Sequence, residues 1–204
     1  MTTLRGASAL ATAALLLAAV TACADDGQDP SSNPPPTSTS PTPSASTPPS
    51  DAEVASEAAS ELVRRYYVVR DELRQDPGLP LSRLRTVAIS TELAAQENLF
   101  KRERRQGWHQ TGTTRIANLT VQAVALDNSD PGAGRVPTVQ IDVCYDVSDV
   151  DILDRNGQSV VAENRPDTGW IRYSVSNYEW AKDPTGAWRI ASSQDLERTQ
   201  CAAP

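Results

Sequence analysis

A proline-rich tract between residues 24 and 50 divides the chain and limits where a folded domain can form. Eight of the 15 prolines lie in this tract, among serines and threonines, with no Lys, Arg or large apolar residue. A segment of this composition cannot bury enough apolar surface to offset the entropy of ordering, and its prolines favour an open polyproline conformation. We therefore predict a disordered tether over residues 23–50 and one globular domain over residues 51–204.

Residues 1–22 have the pattern of a removable export signal. Arg5 precedes an apolar run from Ala7 to Val20, which is shorter than the roughly 20 residues of a membrane-spanning helix. The stretch Val20-Thr21-Ala22-Cys23 resembles the lipobox of bacterial lipoproteins. That resemblance implies cleavage before Cys23 and acylation of this cysteine, whereas the alternative is an ordinary secretory signal followed by a cysteine. The expected location is the extracytoplasmic side of the cell membrane, with a lipid anchor.

The charge of the chain restricts its partners. The formal net charge is −7, whereas sequence-independent nucleic-acid binding requires a cationic surface. We therefore expect no nucleic-acid partner. The expected partners are the membrane, through the anchor, and a protein or wall component of the cell envelope.

The first half of the domain has helical patterns. Ser50 and Glu53 have the spacing of a capping box, and apolar residues then recur every three to four positions until Gln75-Asp76-Pro77-Gly78. These apolar positions are Ala55, Leu62, Tyr66, Val69 and Leu73. A short helical piece is predicted near residues 81–87, and a further helix from Thr91 to about Arg105.

The second half has strand patterns. Alternation of apolar and polar residues begins near Thr114 and is clearest from Val139 to Val147. The odd-numbered residues of this stretch are apolar and predict one face of a strand, and the even-numbered residues predict the opposite face. Asn156-Gly157 predicts a hairpin between residues 150–153 and 160–161. Two more strands are predicted over residues 170–181 and 187–192. Helices followed by antiparallel strands predict an α+β domain, with N-terminal helices packed on a curved sheet of four to six strands.

This order of elements resembles the nuclear-transport-factor-like fold, a cystatin-like cone. Residues 106–201 also resemble a group of actinobacterial secreted lipoproteins of unknown role. The residues that carry the resemblance are Gly107 and Gly112, the strand Val139-x-Ile141-x-Val143-Cys144-x-Asp146, the strand Gly186-x-Trp188-Arg189-Ile190, and the last cysteine. The resemblance implies a fold and an extracytoplasmic location, and it implies no known activity.

The number of cysteines limits how they can pair in disulfides. An odd number in an exported protein leaves one cysteine without a partner. If Cys23 is acylated, Cys144 and Cys201 remain to form a disulfide, which extracytoplasmic conditions permit. This disulfide would hold the C-terminal tail across the sheet face that carries Cys144. The alternative is two free buried thiols.

No arrangement in the sequence predicts a catalytic, cofactor or metal site. His109 is the single histidine, so a site with two imidazoles is excluded, and we place it in a surface connection. The acidic residues from Asp142 to Asp154 lack the order of a calcium loop. The basic stretch 101–105 is typical of a helix C-terminus; contact with anionic lipids or wall polymers is the alternative. Four tryptophans are candidates for a sugar-stacking surface, with Trp188 expected in the core.

The similar fold implies a conical pocket between sheet and helices. Candidates to line such a pocket are Tyr66, Asp142, Asp146, Tyr173 and Tyr178, together with Tyr67. The favoured function is a non-enzymatic module that binds a protein or wall component at the envelope. The alternative is a small-molecule-binding protein, or an enzyme of the lyase or isomerase type that uses the pocket.

Overall fold

The computed structural model describes residues 48–201, which contain two α-helices and six β-strands. The helices are α1 (Asp51–Gln75) and α2 (Ser90–Gln106). The strands are β1 (His109–Thr111), β2 (Arg115–Ala125), β3 (Thr138–Asp146), β4 (Asp151–Leu153), β5 (Thr168–Asn177) and β6 (Trp188–Leu196). Two short 3₁₀ helices cover Leu81–Thr86 and Pro131–Ala133. The predicted export signal, Cys23 and most of the tether lie outside the described residues.

Helix α1 begins and ends where the sequence predicts. The Ser50 side chain accepts a hydrogen bond from the Glu53 backbone, and the Glu53 side chain accepts one from the Ser50 backbone. This capping box satisfies amide groups that have no partner within the helix. All five predicted apolar positions of α1 are buried, so the predicted face is confirmed. In the part of the chain that the structure describes, no helix is long and apolar enough to cross a membrane.

The remaining helical predictions are confirmed with small shifts. The piece near residues 81–87 is a 3₁₀ helix, Leu81–Thr86. Helix α2 covers Ser90–Gln106 and ends at Gly107, which has a left-handed backbone (φ 76°). Glycine adopts this conformation without steric cost, and its amide donates to the carbonyls of the last helical turn. Phe100 of α2 is buried, and Leu93 and Leu99 are partly buried against the same core.

Four strands form one antiparallel sheet in the order β2-β3-β5-β6. Val139, Ile141 and Val143 of β3 point to the face that packs against the helices, in one core with Leu62 and Trp188. The fold is therefore α+β, with N-terminal helices on an antiparallel sheet, as predicted. The opposite face of β3 carries Asp142, Cys144 and Asp146, which are also buried.

The predicted hairpin at Asn156-Gly157 is only partly correct. Its turn is present, because Asp154 donates to the Gln158 carbonyl and Val160 to the Ile152 carbonyl. However, Val160 and Val161 form no strand, and β4 pairs with β1 in a separate two-stranded sheet. His109, which we predicted in a surface connection, is the first residue of the short strand β1. Val160 is 39% exposed, whereas β1 pairs with all three residues of β4.

Gly112 allows a close approach between the β1–β2 turn and the loop before β4, and its replacement tests this packing. It has a φ of 72°, and an added Cβ would lie 1.8 Å from the Asp149 carbonyl oxygen. We expect Gly112→Ala to lower the free energy of unfolding by about 2 to 4 kcal/mol. Gly157→Ala is the matched control, because φ is 75° there and no atom lies within 4 Å of an added Cβ. The control is expected to cost about 1 kcal/mol in chemical denaturation; equal losses would contradict the steric argument.

Candidate functional site

A cavity of about 730 Å³ lies between the helices and the inner face of the four-stranded sheet. Helix α1 contributes Tyr67 and Arg70, α2 contributes Glu92, and the sheet contributes Tyr145 and Tyr173. This volume is within the range of about 300 to 1,000 Å³ that is usual for small-molecule sites.

Tyr67 and Tyr173 form an aromatic wall of the cavity, and Tyr66 packs against both rings. Tyr66, Tyr67 and Tyr173 contact one another edge to face, with ring centroids 5.6 to 6.2 Å apart. Tyr173 donates a hydrogen bond to the Tyr67 hydroxyl at 3.0 Å, which leaves the Tyr67 hydroxyl proton for another acceptor. Burial raises the pKa of all three tyrosines above the ordinary value. These hydroxyls are therefore neutral at physiological pH.

Arg70 is the principal polar feature of this cavity. Its guanidinium carbon lies 5.2 Å from the ring centroid of Tyr66 and 5.8 Å from that of Tyr67. Its Nε is buried without an acceptor in residues 48–201. The terminal nitrogens also have no hydrogen-bond partner in this range but remain accessible from the cavity that the side chain lines. Aromatic faces attract a cation, but they do not satisfy its N–H donors.

The charge of Arg70 is maintained despite its surroundings. Burial alone would lower the pKa of this guanidinium, but the field of the groups around it, Glu92 among them, raises the pKa above its ordinary value. Arg70 therefore presents a permanent positive charge and free N–H donors to the cavity.

Glu92 is the buried acid of the cavity, and its hydrogen bonds are already provided by neutral groups. It is 2% exposed and accepts hydrogen bonds from Tyr66, from Gln96 at 2.8 Å and from Ser193 at 2.5 Å. Three donors stabilise the carboxylate in place. Glu92 therefore acts on Arg70 through the electrostatic field of its carboxylate and forms no hydrogen bond with the guanidinium in the described residues.

The outer part of the cavity contains Tyr145 and Arg165. Tyr145 of β3 pairs across the sheet with Gly169 of β5, and a Cβ at this glycine would lie 2.4 Å from the Tyr145 hydroxyl. The absence of a side chain at position 169 therefore allows the tyrosine ring to lie over β5. Arg165 reaches the cavity from the loop before β5.

The structure places the predicted pocket residues in three different environments. Tyr173 lines the cavity, whereas Tyr66 is buried against the Tyr173 ring and is not among the lining residues. Tyr178 is 47% exposed after the end of β5. Asp142 and Asp146 lie on the opposite face of the sheet, so neither reaches the tyrosines. The strand alternation already predicted that these two carboxylates face away from Val139, Ile141 and Val143.

Both buried aspartates are paired with arginines. Asp142 accepts hydrogen bonds from Arg172 and Arg198, each at 2.6 Å at the shortest. Hydrogen bonding from Arg172 is the main cause that lowers the Asp142 pKa from its ordinary value of 3.8. Asp146 pairs with Arg115 at 3.0 Å, and the Ser148 backbone amide is the main cause that lowers its pKa. Since these carboxylates have partners, their role in this structure is to hold the sheet face and the tail.

The C-terminal tail crosses this opposite face, as predicted. Cys144 and Cys201 form a disulfide with their Cα atoms 6.4 Å apart. Trp170 donates to the Thr199 carbonyl and Thr168 to the Cys201 carbonyl, both at 3.1 Å. Tail residues Arg198 and Gln200 also line the rim of the cavity.

The tryptophans do not form a common surface in the described residues. Trp188 is 1% exposed and belongs to the core, as predicted, with Trp180 edge to face at 5.8 Å. Trp170 lies beneath the tail, and Trp108 borders a separate depression beside Arg155. The basic stretch 101–105 lies in the last turns of α2, which agrees with its interpretation as a helix C-terminus.

Sequence reasoning did not identify Arg70 or Arg165. The one available signal for Arg70 was its position four residues after Tyr66, on the buried face of α1 between Val69 and Leu73. A charged residue at such a position is costly unless it has a partner or a function. For Arg165 there was no signal, because it lies in a polar loop.

Comparisons with known proteins give distant similarities to solved structures. No protein-family model and no curated protein matches the chain. The crystal structure of the intermembrane space region of the chloroplast protein ARC6 is 18% identical with a TM-score of 0.47, covering 73% of this chain and 98% of that one. A de novo designed β-sheet protein solved by NMR is 12% identical with a TM-score of 0.34, covering 72% and 99%. Similarities at this level assign neither a family nor a function.

Proposed function

We propose that the domain is a small-molecule-binding protein whose cavity holds an organic acid. The acid group lies on the Arg70 guanidinium and the apolar part lies on the tyrosine rings. One observation carries this proposal: Arg70 lines the cavity, and its side chain has no hydrogen-bond acceptor among residues 48–201. The proposal concerns binding and includes no chemical step.

Other arginines of the domain show what a structural role requires. Arg74, one turn after Arg70 on α1, bonds to both carboxylate oxygens of Glu103. Arg172 bonds to both carboxylate oxygens of Asp142 in the same way. An arginine with planar, unoccupied N–H groups in a partly dry cavity favours a carboxylate, which the guanidinium binds through two hydrogen bonds. The remaining hydroxyl proton of Tyr67 is a further donor for the same anion.

The cavity supports this function better than the envelope-docking role that the sequence favoured. The docking role depends on an exposed partner surface. Within residues 48–201 the large exposed apolar side chains are Val68, Val160 and Tyr178, which belong to different elements and do not line the cavity. The aromatic wall and the free cation instead lie together inside the domain.

The location remains part of the proposal. Acylated Cys23 would anchor the protein at the extracytoplasmic side of the membrane, and the proline-rich tether would hold the binding domain away from the lipid surface. This arrangement suits a receptor for a small molecule in the cell envelope, and it agrees with the resemblance to secreted lipoproteins. Cys23 and the tether up to residue 47 lie outside the described residues.

A thermal-shift comparison of acids with their uncharged isosteres tests the proposed function. Hexanoate and phenylacetate are compared with hexanamide and phenylacetamide, on residues 48–204. At a free acid concentration of about ten times its Kd, binding stabilises the fold by about 1.4 kcal/mol. This stabilisation raises Tm by about 3 to 6 °C. We expect this rise for at least one acid and not for its amide. Equal shifts for acids and amides, or no shift for either acid, would contradict the proposal.

The anchor is tested separately by Cys23→Ala in the full chain. A single acyl chain binds a membrane only weakly, whereas two or more chains on Cys23 would give stable attachment. We expect the wild-type protein in the membrane fraction and the Cys23→Ala protein in the soluble fraction after cell lysis. Cys201→Ala is the control for loss of a cysteine elsewhere and should remain with the membrane. A Cys23→Ala protein that is still fully membrane-bound would exclude the lipid anchor.

A further inference from the structure

Arg165 is a second cation of the cavity that has no acid partner among residues 48–201. One terminal nitrogen, Nη2, donates to the Val147 carbonyl at 2.8 Å and to the Val150 carbonyl at 2.9 Å. Its Nε is buried without an acceptor among residues 48–201. The other terminal nitrogen, Nη1, has no partner in this range either but is accessible. Two backbone carbonyls therefore hold this guanidinium in place while its charge remains uncompensated.

We propose that the ligand is a diacid, with one carboxylate on Arg70 and the second on Arg165. This inference rests on the proposed function, because Arg70 supplies the first contact. Arg70 projects from α1 and Arg165 from the loop before β5, and both line the same cavity. A ligand with an acid group at each end satisfies both guanidinium groups, whereas a monoacid leaves one without an anion.

Tyr145 lies within the influence of both arginines. Burial raises the pKa of this tyrosine and Asp195 acts in the same direction, while Arg70 and Arg165 act against them. Its hydroxyl has no hydrogen-bond partner among the described residues and extends over Gly169. This hydroxyl is available to a polar group of a ligand that extends between the two arginines.

The acids of the cavity do not favour a ligand with a positive end. Glu92 already accepts hydrogen bonds from three neutral donors. Asp195 is exposed on β6, so water solvates its carboxylate. Among residues 48–201, Arg70 and Arg165 are the charged residues lining the cavity whose side chains have a buried nitrogen without an acceptor, and the other buried unpaired atom of the lining, Gln96 Oε1, is neutral. Two unpaired cations favour a diacid over an amino acid or another zwitterion.

The test compares diacids with monoacids of equal chain length by calorimetric titration. Glutarate, adipate, pimelate and suberate are paired with pentanoate, hexanoate, heptanoate and octanoate. A charged hydrogen-bonded contact changes Kd by about tenfold or more. We expect at least one diacid to bind about tenfold more tightly than its monoacid partner. Arg165→Met should lower diacid affinity more than monoacid affinity and so reduce that preference, and Arg165→Lys should keep part of it.

The controls separate this inference from the proposed function. Arg64→Met removes an exposed cation that does not line the cavity, and it should leave both series unchanged. Each variant is first melted without ligand, so that a folding defect from the lost Val147 and Val150 contacts is detected. If monoacids bind through Arg70 and no diacid binds more tightly, or if Arg165→Met weakens both series equally, the diacid inference is overturned and the proposed function stands. If neither series depends on Arg70, both are overturned.

Discussion

Arg70→Met is expected to weaken binding of the best organic acid by roughly 30-fold or more. Removal of one partner from a desolvated, hydrogen-bonded charge pair costs about 2 to 5 kcal/mol, and each 1.4 kcal/mol is tenfold in Kd. Methionine fills a similar volume beside the rings of Tyr66 and Tyr67 but donates no hydrogen bond. Calorimetric titration of the wild type and the variant with the same acid measures the effect.

Two further variants show whether charge or geometry is responsible. Arg70→Lys keeps the positive charge but lacks the planar pair of donors, so it should recover only part of the affinity. Arg64 lies six residues earlier on the exposed face of α1, and Arg64→Met should bind like the wild type. If Arg70→Met binds the acid as tightly as Arg64→Met does, the anion does not lie on Arg70.

Loss of the disulfide is expected to be the most destabilising of these changes. Cys144 and Cys201 are separated by 57 positions, and the chain-entropy relation for a loop of this length gives about 4 kcal/mol. For a domain of this size, this corresponds to a fall in Tm of about 8 to 16 °C. The variant is Cys201→Ala in residues 48–204, because this cysteine is at the end of the tail and only partly buried.

Reduction of the wild-type domain provides the matched comparison. Its Tm in reducing agent should approach that of Cys201→Ala, whereas the variant should melt at the same temperature with and without reductant. Arg198 and Gln200 of the tail border the cavity, so the variant should also bind organic acids more weakly. Two alkylatable thiols in the native, unreduced domain would contradict the disulfide.

The sequence allowed the helices and the central strands to be predicted because their signals are local. The capping box at Ser50 and Glu53 defines the start of α1 by side chains three residues apart. The alternation along Val139–Val147 predicted β3 and its two faces, since side chains of a strand alternate between faces. The Cys144–Cys201 disulfide followed from counting cysteines once Cys23 was assigned to the anchor.

The cavity was less predictable because it depends on contacts between distant segments. Tyr66 and Tyr173 were predicted as pocket residues, and they meet only because α1 packs on β5. The pairing of β1 with β4 links two three-residue segments that carry no alternation of their own. Arg70 is the more instructive omission, because in the sequence it only interrupts the apolar face of α1. The structure shows that its side chain has no hydrogen-bond partner among residues 48–201.

A crystal structure of the domain with the most stabilising acid tests the central claim most directly. The account predicts the acid carboxylate within hydrogen-bond distance of the Arg70 guanidinium, and the apolar part of the ligand against Tyr67 and Tyr173. An acid bound elsewhere on the domain, with the Arg70 nitrogens still lacking an anion, would contradict the account.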